Sequence, residues 1–509
     1  MKELERILIK IFIIIAGVMF MGLTLTSFFI SYINTDLRDE HVYRINDNLI
    51  LNVVAIAIIF TGMVFAKTKL EHVKNKININ VLAILLSFTS IGLSILWVLG
   101  SGTEVQADQW KICQAAADFN KGNYQWLEKG EYVAECPHQL GIITLIRIIF
   151  FVFGEWNYLP FQILSCISVG LIIYFIYRFA LEITDNWTVS FIALLLAFLC
   201  LPLYFYTPFV YGELLSIALS LIVLFLYARL MKAYRHSDLV TLLTMTTMML
   251  LVRKNTIIIL VAILGVSFVK LITNHRKRNI AIILAVVMGI LLKSVFISAL
   301  YDSHIPEDAT EIPSSLYVAM GTNNNDNHSG WFNGLHHAIF EANEFDPVPS
   351  SEQGKQIVSE FLKLCVQHPV GGAKFYFRKI ATQWSAPMYQ CIVMNNNVTG
   401  NQSALARFIY FDDKAWKLMD GYMNIYQLLL YISITVALFI MWNRNKKLEL
   451  YTGLIAVYGG FLFSIIWEAK TRYVFPYMLI MIPYMAYGIY LLTNKIDGLV
   501  KAHLSRKGR

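Results

Sequence analysis

Two kinds of side chain stand where so apolar a chain has to account for them. In "GTEVQADQWKICQAAADFNKGNY", residues 102–124, Asp108 comes soon after an apolar run that ends at Gly100. A carboxylate there could serve as a general base, taking the proton of a hydroxyl that approaches the membrane surface. It could equally cap a helix, because Asp is a preferred N-cap and "ADQWK" opens an apolar stripe. The second kind is cationic. "LLVRKNTIIIL" sets Arg253 and Lys254 between two apolar runs, "IIWEAKTRYVFPY" sets Glu468, Lys470, Arg472 and Tyr473 between two more, and Lys293 lies inside another. Inserting such a charge into hydrocarbon costs about 2.5–3.5 kcal/mol, less near an interface, so each needs a partner or a task. Clustered, they would bind an anion such as a lipid phosphate, guanidinium forming paired hydrogen bonds to its oxygens. Pairing with Glu468, or snorkelling to headgroups, is the structural alternative. "YTPFVYGELLS" adds Tyr211 and Glu213, the latter a second carboxylate or a helix cap favoured by the helix dipole. "ECPHQLG" adds His138.

The elements that must position these residues are membrane helices. The chain has 509 residues, 57% hydrophobic and 15% charged, with mean hydropathy +0.56; soluble domains carry about 25% charged residues. Runs of about 20 apolar residues can cross about 30 Å of hydrocarbon as helices, and no alternating barrel pattern is present. Twelve crossings are expected, over 8–32, 49–66, 80–99, 157–180, 189–206, 214–231, 238–252, 256–273, 279–299, 422–442, 451–467 and 474–492. The apolar segment 140–153 is shorter and reads as an interfacial or re-entrant helix. Basic clusters recur at Lys2/Arg6/Lys10, Lys67–Lys76, Arg229–Arg235, Arg276–Arg278, Arg444–Lys447 and Lys501–Arg509. All fall inside if both termini are cytoplasmic, which sends 100–156 and 300–421 outside. The net charge of +8 then reflects topology and anionic lipid rather than nucleic acid, for which there is no motif. Cys113, Cys136, Cys365 and Cys391 would share the outer side, where two disulfides could form, as Cys113/Cys136 and Cys365/Cys391.

There is no P-loop, dinucleotide fingerprint, zinc-ligand spacing or nucleophile elbow, and no inner segment long enough to bind ATP. His336 and His337 are adjacent and point different ways on a helix, so no metal site is expected from them. No cofactor is indicated, though a divalent metal stays open. Arg378 and Lys379 in "FYFRKIATQW" read as surface contacts. Any donor should therefore arrive already activated in the membrane.

The segments "ADQWKICQAAADFNKGNY", "ECPHQLGIITLIRIIFFVFG", "FVYGELL", "LVRKN", "YVAMGTNNN" with "GWFNG", and "EAKTRYVFPY", spread over 80–492, resemble the GT-C membrane glycosyltransferases. The nearest likeness is to bacterial relatives of the protein O-mannosyltransferases and of the aminoarabinose transferase acting on lipid A. The resemblance implies an all-α polytopic bundle: N-terminal helices 1–79, a GT-C-like core 80–300 with a catalytic outer loop 100–156, an extracytoplasmic loop region 301–421, and C-terminal helices with a basic tail, 422–509. It implies that Asp108 is the base and that Arg472 and Tyr473 lie near the donor phosphate, with Arg253 and Lys254 beside the leaving group. Glu213, Tyr211 and His138 join the substrate site, Pro137 and His138 matching the family turn only loosely. The family's acidic pair is missing, because Gln109 follows Asp108. The implied partners are a polyprenyl-phosphate sugar donor, a glycan, glycolipid or protein acceptor, and the lipid of a bacterial plasma membrane. Three rival classes fit such a chain: a lipid-linked sugar flippase or other transporter with charges along its central spans, a polysaccharide polymerase or ligase relying on loop arginines, and a non-catalytic scaffold.

Overall fold

The computed structural model describes residues 2–35, 40–74, 76–273, 276–325, 328–398, 403–442 and 447–507; Arg444, Lys446 and Arg509 lie outside them. The chain opens with α1 (Lys2–Phe29), a hairpin of β1 (Ile30–Asn34) and β2 (Val42–Asn46) in register Ile30↔Asn46, α2 (Leu49–Lys74) and α3 (Ile79–Ser101). There follow α4 (Asp108–Asn120), the single turn α5 (Tyr132–Glu135), α6 (Leu140–Phe153), α7 (Leu159–Thr184), α8 (Trp187–Phe198) and the short α9 (Leu201–Phe205). Next come α10 (Glu213–Lys232), α11 (His236–Val252), α12 (Ile257–Thr273) and α13 (Arg276–Tyr301). The second polar region holds α14 (Ser314–Met320), α15 (Leu335–Ala342), α16 (Pro347–Gln367) and α17 (Pro369–Trp384). Finally α18 (Lys414–Met441), α19 (Thr452–Ile466) and α20 (Phe475–Lys507) close the bundle.

Among the described residues ten helices are long and apolar enough to cross a membrane: α1, α2, α3, α7, α10, α12, α13, α18, α19 and α20, three of them (α12, α13 and α19) counted with a flanking turn. Two expected crossings come out differently. The run 189–206 is split into α8 and α9, the break falling at Leu199–Cys200 just before Pro202, and the run 238–252 is the 17-residue α11. At 1.5 Å per residue, α8 and α11 extend about 18 and 26 Å, short of the roughly 30 Å core. Residues 140–153 form α6, bent by 99° from the short helices before it. Gly141 explains that packing, since a Cβ there would sit 1.9 Å from the carbonyl oxygen of Leu251. The backbone of α6 thus lies against the end of α11 and brings residues 138–139 toward Arg253.

Helices α10 and α20 occupy the centre, while α2 lies at the edge with only 17% of its apolar window buried. The charged side chains sort to two ends. At one end Lys232 meets Glu182 and Asp185 at 3.3 and 2.6 Å, Arg229 meets Asp238 at 2.9 Å, and Lys67 meets Asp497 at 2.6 Å. Lys270 meets Glu5 and Glu449 there, each at 2.6 Å. The opposite end gathers the polar regions, where the amide of Glu104 donates to Asn397 and that of Ile312 to Glu135. Because α10 and α11 are packed neighbours running in opposite directions, Glu213 at the start of one and Arg253 past the end of the other come to that same end.

Candidate functional site

Asp108 opens α4, but it is not the helix cap. The N-cap is Ala107, held at φ 48°, and no side chain caps the helix. The Asp108 carboxylate instead accepts a hydrogen bond from the Tyr211 hydroxyl at 3.2 Å. That hydroxyl also receives the Gln139 side-chain amide at 2.5 Å and lies 3.2 Å from the Tyr132 hydroxyl. Gly212, at φ 87°, makes this possible: it turns the chain so that Tyr211 faces Asp108 while Glu213 begins α10 one residue later. Lys111, one turn along α4 from Asp108, lies over the Tyr132 ring at 4.7 Å.

The cationic half of the site is built around Glu213. Its Oε1 is 2.5 Å from Arg253 Nη1 and 3.7 Å from Arg472 Nε, so two guanidiniums share one buried carboxylate. Both also lie against the Tyr211 ring, at 5.3 and 5.2 Å from its centroid, within cation–π range. Tyr211 therefore touches the base candidate through its hydroxyl and the cation pair through its ring. Burial opposes the Arg472 charge, but Glu213 and the surrounding tyrosines and Asp108 outweigh it and hold the guanidinium protonated. Beside the pair is a narrow cavity of about 40 Å³ lined by Glu213, Arg253, Arg472 and the apolar faces of Ile259, Phe463 and Tyr477. That space takes a water or two, so an anion of phosphate size needs Glu213 to give way.

The remaining expected residues divide. His138 lies near this site, and burial followed by the charges of Lys254 and Arg253 pushes it down to about 4, leaving it neutral at pH 7. Tyr473 gives its hydroxyl to Glu468 at 2.5 Å, with Arg472 over its ring at 5.6 Å. Lys254 does not join the guanidinium pair; it is exposed and meets Glu311 at 3.2 Å. The alternative pairing of Glu468 with Lys470 or Arg472 is replaced by other partners. Lys470 reaches Glu40, 3.0 Å away in the segment between β1 and β2, while Arg472 reaches Glu213. Burial works against the Lys470 ammonium, and Glu40 and Glu468 more than offset it.

Four further side chains have roles that the sequence reading did not give them. Gln109, where an acidic neighbour was expected, is a brace: its amide donates to Met394 O at 3.1 Å and its oxygen accepts from the Val210 amide at 2.8 Å. Glu40 and Tyr132 carried no local signal, because their partners lie far along the chain. Lys379 is not a surface contact but fully buried, donating to Gly321 O at 2.6 Å, and burial pushes it down to about 7. All six cysteines are free, so neither Cys113/Cys136 nor Cys365/Cys391 is bridged. Among the described residues no group of three or more His, Cys, Asp or Glu side chains could hold a metal ion. No family model, no curated protein and no solved structure matches this chain.

Proposed function

We propose that the chain is an integral membrane glycosyltransferase of GT-C type, moving a sugar from a polyprenyl-phosphate donor to a hydroxyl of an envelope glycan, glycolipid or protein. The observation that carries this reading is the tyrosine-linked juxtaposition of Asp108, which has no ion pair among the described residues, with two guanidiniums that share one carboxylate. Asp108 takes the proton of the acceptor hydroxyl as its oxygen attacks the anomeric carbon. The bond from that carbon to the phosphate oxygen breaks, the electron pair leaves with the phosphate, and a single displacement inverts the anomeric centre. Arg253 and Arg472 carry two positive charges against one on Glu213, which leaves one for the departing phosphate. Neutral His138 is suited to hydrogen bonding with the acceptor. The basic clusters at the opposite end support an outward-facing site in a bacterial plasma membrane.

Purified wild type and Asp108→Asn, matched in thermal unfolding, are compared for transfer of labelled sugar from cell-derived polyprenyl-phosphate donors to envelope glycans. The expected result is a loss of about 10²–10⁴-fold with the fold intact. Equal transfer by both proteins removes Asp108 from the chemistry, and no transfer by wild type with any donor sinks the assignment.

A further inference from the structure

At the end of the bundle opposite Asp108, a cleft of about 520 Å³ runs between α2, the length of α8 with the turn before it, and the middle of α20 around residues 489–494. Its α8 wall runs from the turn at Asp185 and Asn186 to Leu199. Its walls are apolar, with Leu70, Phe191, Leu195 and Ile489 among them, and extend about 18 Å along α8, enough for much of one acyl chain. Its mouth is polar, holding Lys67, Lys74, Asn186 and Asp185, the last neutralised by Lys232 at 2.6 Å. Lys67 there is already committed to Asp497, but Lys74 is exposed with no carboxylate partner among the described residues. Thr493 lines the same cleft, 7% exposed, and its Oγ1 has no hydrogen-bond partner among the described residues. A helix threonine ordinarily satisfies its hydroxyl on the carbonyl four residues back, so this donor is left for something else.

We infer that the cleft binds one anionic glycerophospholipid, an acyl chain along α8, an ester or phosphate oxygen on Thr493, and the headgroup charge on Lys74. The charge complementarity favours an anionic over a zwitterionic headgroup. The site stands apart from the transfer site, at the other end of the bundle, and does not depend on the reading of that site.

The test is native mass spectrometry of the full chain, released from detergent after exposure to phosphatidylglycerol, phosphatidylcholine or a polyprenyl phosphate. Wild type should retain one phosphatidylglycerol. Lys74→Gln, an exposed change that leaves packing alone, should weaken retention about fivefold, the effect of one lysine near an anionic lipid. Leu195→Trp, which fills the cleft, should abolish it; if that variant does not fold, Thr493→Val serves in its place. Equal retention of phosphatidylcholine, preference for the polyprenyl phosphate, or indifference to Lys74→Gln each overturns the proposal.

Discussion

The two ends of the bundle solve the same problem in opposite ways. At one, the buried Lys270 is met by two carboxylates, Glu5 and Glu449, both at 2.6 Å. At the other, the buried Glu213 is met by two guanidiniums, one at 2.5 Å and one at 3.7 Å. One acid too many and one base too many look symmetrical, but their consequences differ. Around Lys270 the ion contacts are short and stitch α12 to α1 and to the turn before α19, which is what a structural clamp requires. Around Glu213 one contact is long, a cavity adjoins it, and Asp108 stands one tyrosine away held by the Tyr211 hydroxyl. A cluster with surplus positive charge and a long contact is already partly prepared for an anion, whereas a tightly closed cluster is not.

The sharpest break in that contrast comes from removing the acid at each end. Glu213→Gln leaves the buried Arg472 and the half-buried Arg253 facing each other and should cost about 3–5 kcal/mol in unfolding free energy. Glu5→Gln leaves Glu449 on Lys270 and should cost about 1 kcal/mol. Inorganic pyrophosphate should restore more stability to Glu213→Gln than to wild type; equal losses at both ends, or no response to pyrophosphate, would remove the distinction. A smaller effect is expected of Tyr211→Phe, which deletes the hydroxyl on Asp108 while keeping the ring between Arg253 and Arg472. Transfer kinetics should show kcat lowered about tenfold with the donor KM unchanged. Tyr211→Ala should raise the donor KM as well, and a Phe variant that changes KM alone would show that the hydroxyl serves binding instead.

The smallest effect is on pH. His138 and His336 both belong to the site end, and burial pushes them down to about 4 and about 3. Unfolded, each takes up a proton near pH 6.5 that the folded chain refuses, so their contribution to stability is full above pH 6.5 and is lost as pH falls toward 4. Over the first unit below pH 6.5 the loss should be about 1 kcal/mol for each histidine, about 2 kcal/mol together. Hydrogen exchange should register it around residues 135–140 and 330–340 before the Lys270 cluster, and His336→Asn should flatten the slope. Earlier opening at the Lys270 end would reverse the assignment of the less stable region.

The sequence alone settled that the chain is a helical membrane protein, because composition and run length are properties of the chain itself. It also marked Asp108, Arg253, Glu213 and Arg472 as worth explaining, since a charge next to an apolar run is costly wherever the chain goes. It could not say who meets whom. Whether Asp108 caps α4 depends on a bond to Tyr211 in the turn before α10, and whether Arg472 pairs with Glu468 depends on the approach of Glu213. Lys379 looked like a surface residue because local pattern does not reveal what packs over it, and Gly321 and Gly330 do. The break in α8 was hidden in a continuous apolar run, since hydropathy does not distinguish one long helix from two short ones. Composition fixes which groups must leave water, but only tertiary packing decides their partners, because an ion pair depends on distance in space and the chain specifies only distance along itself.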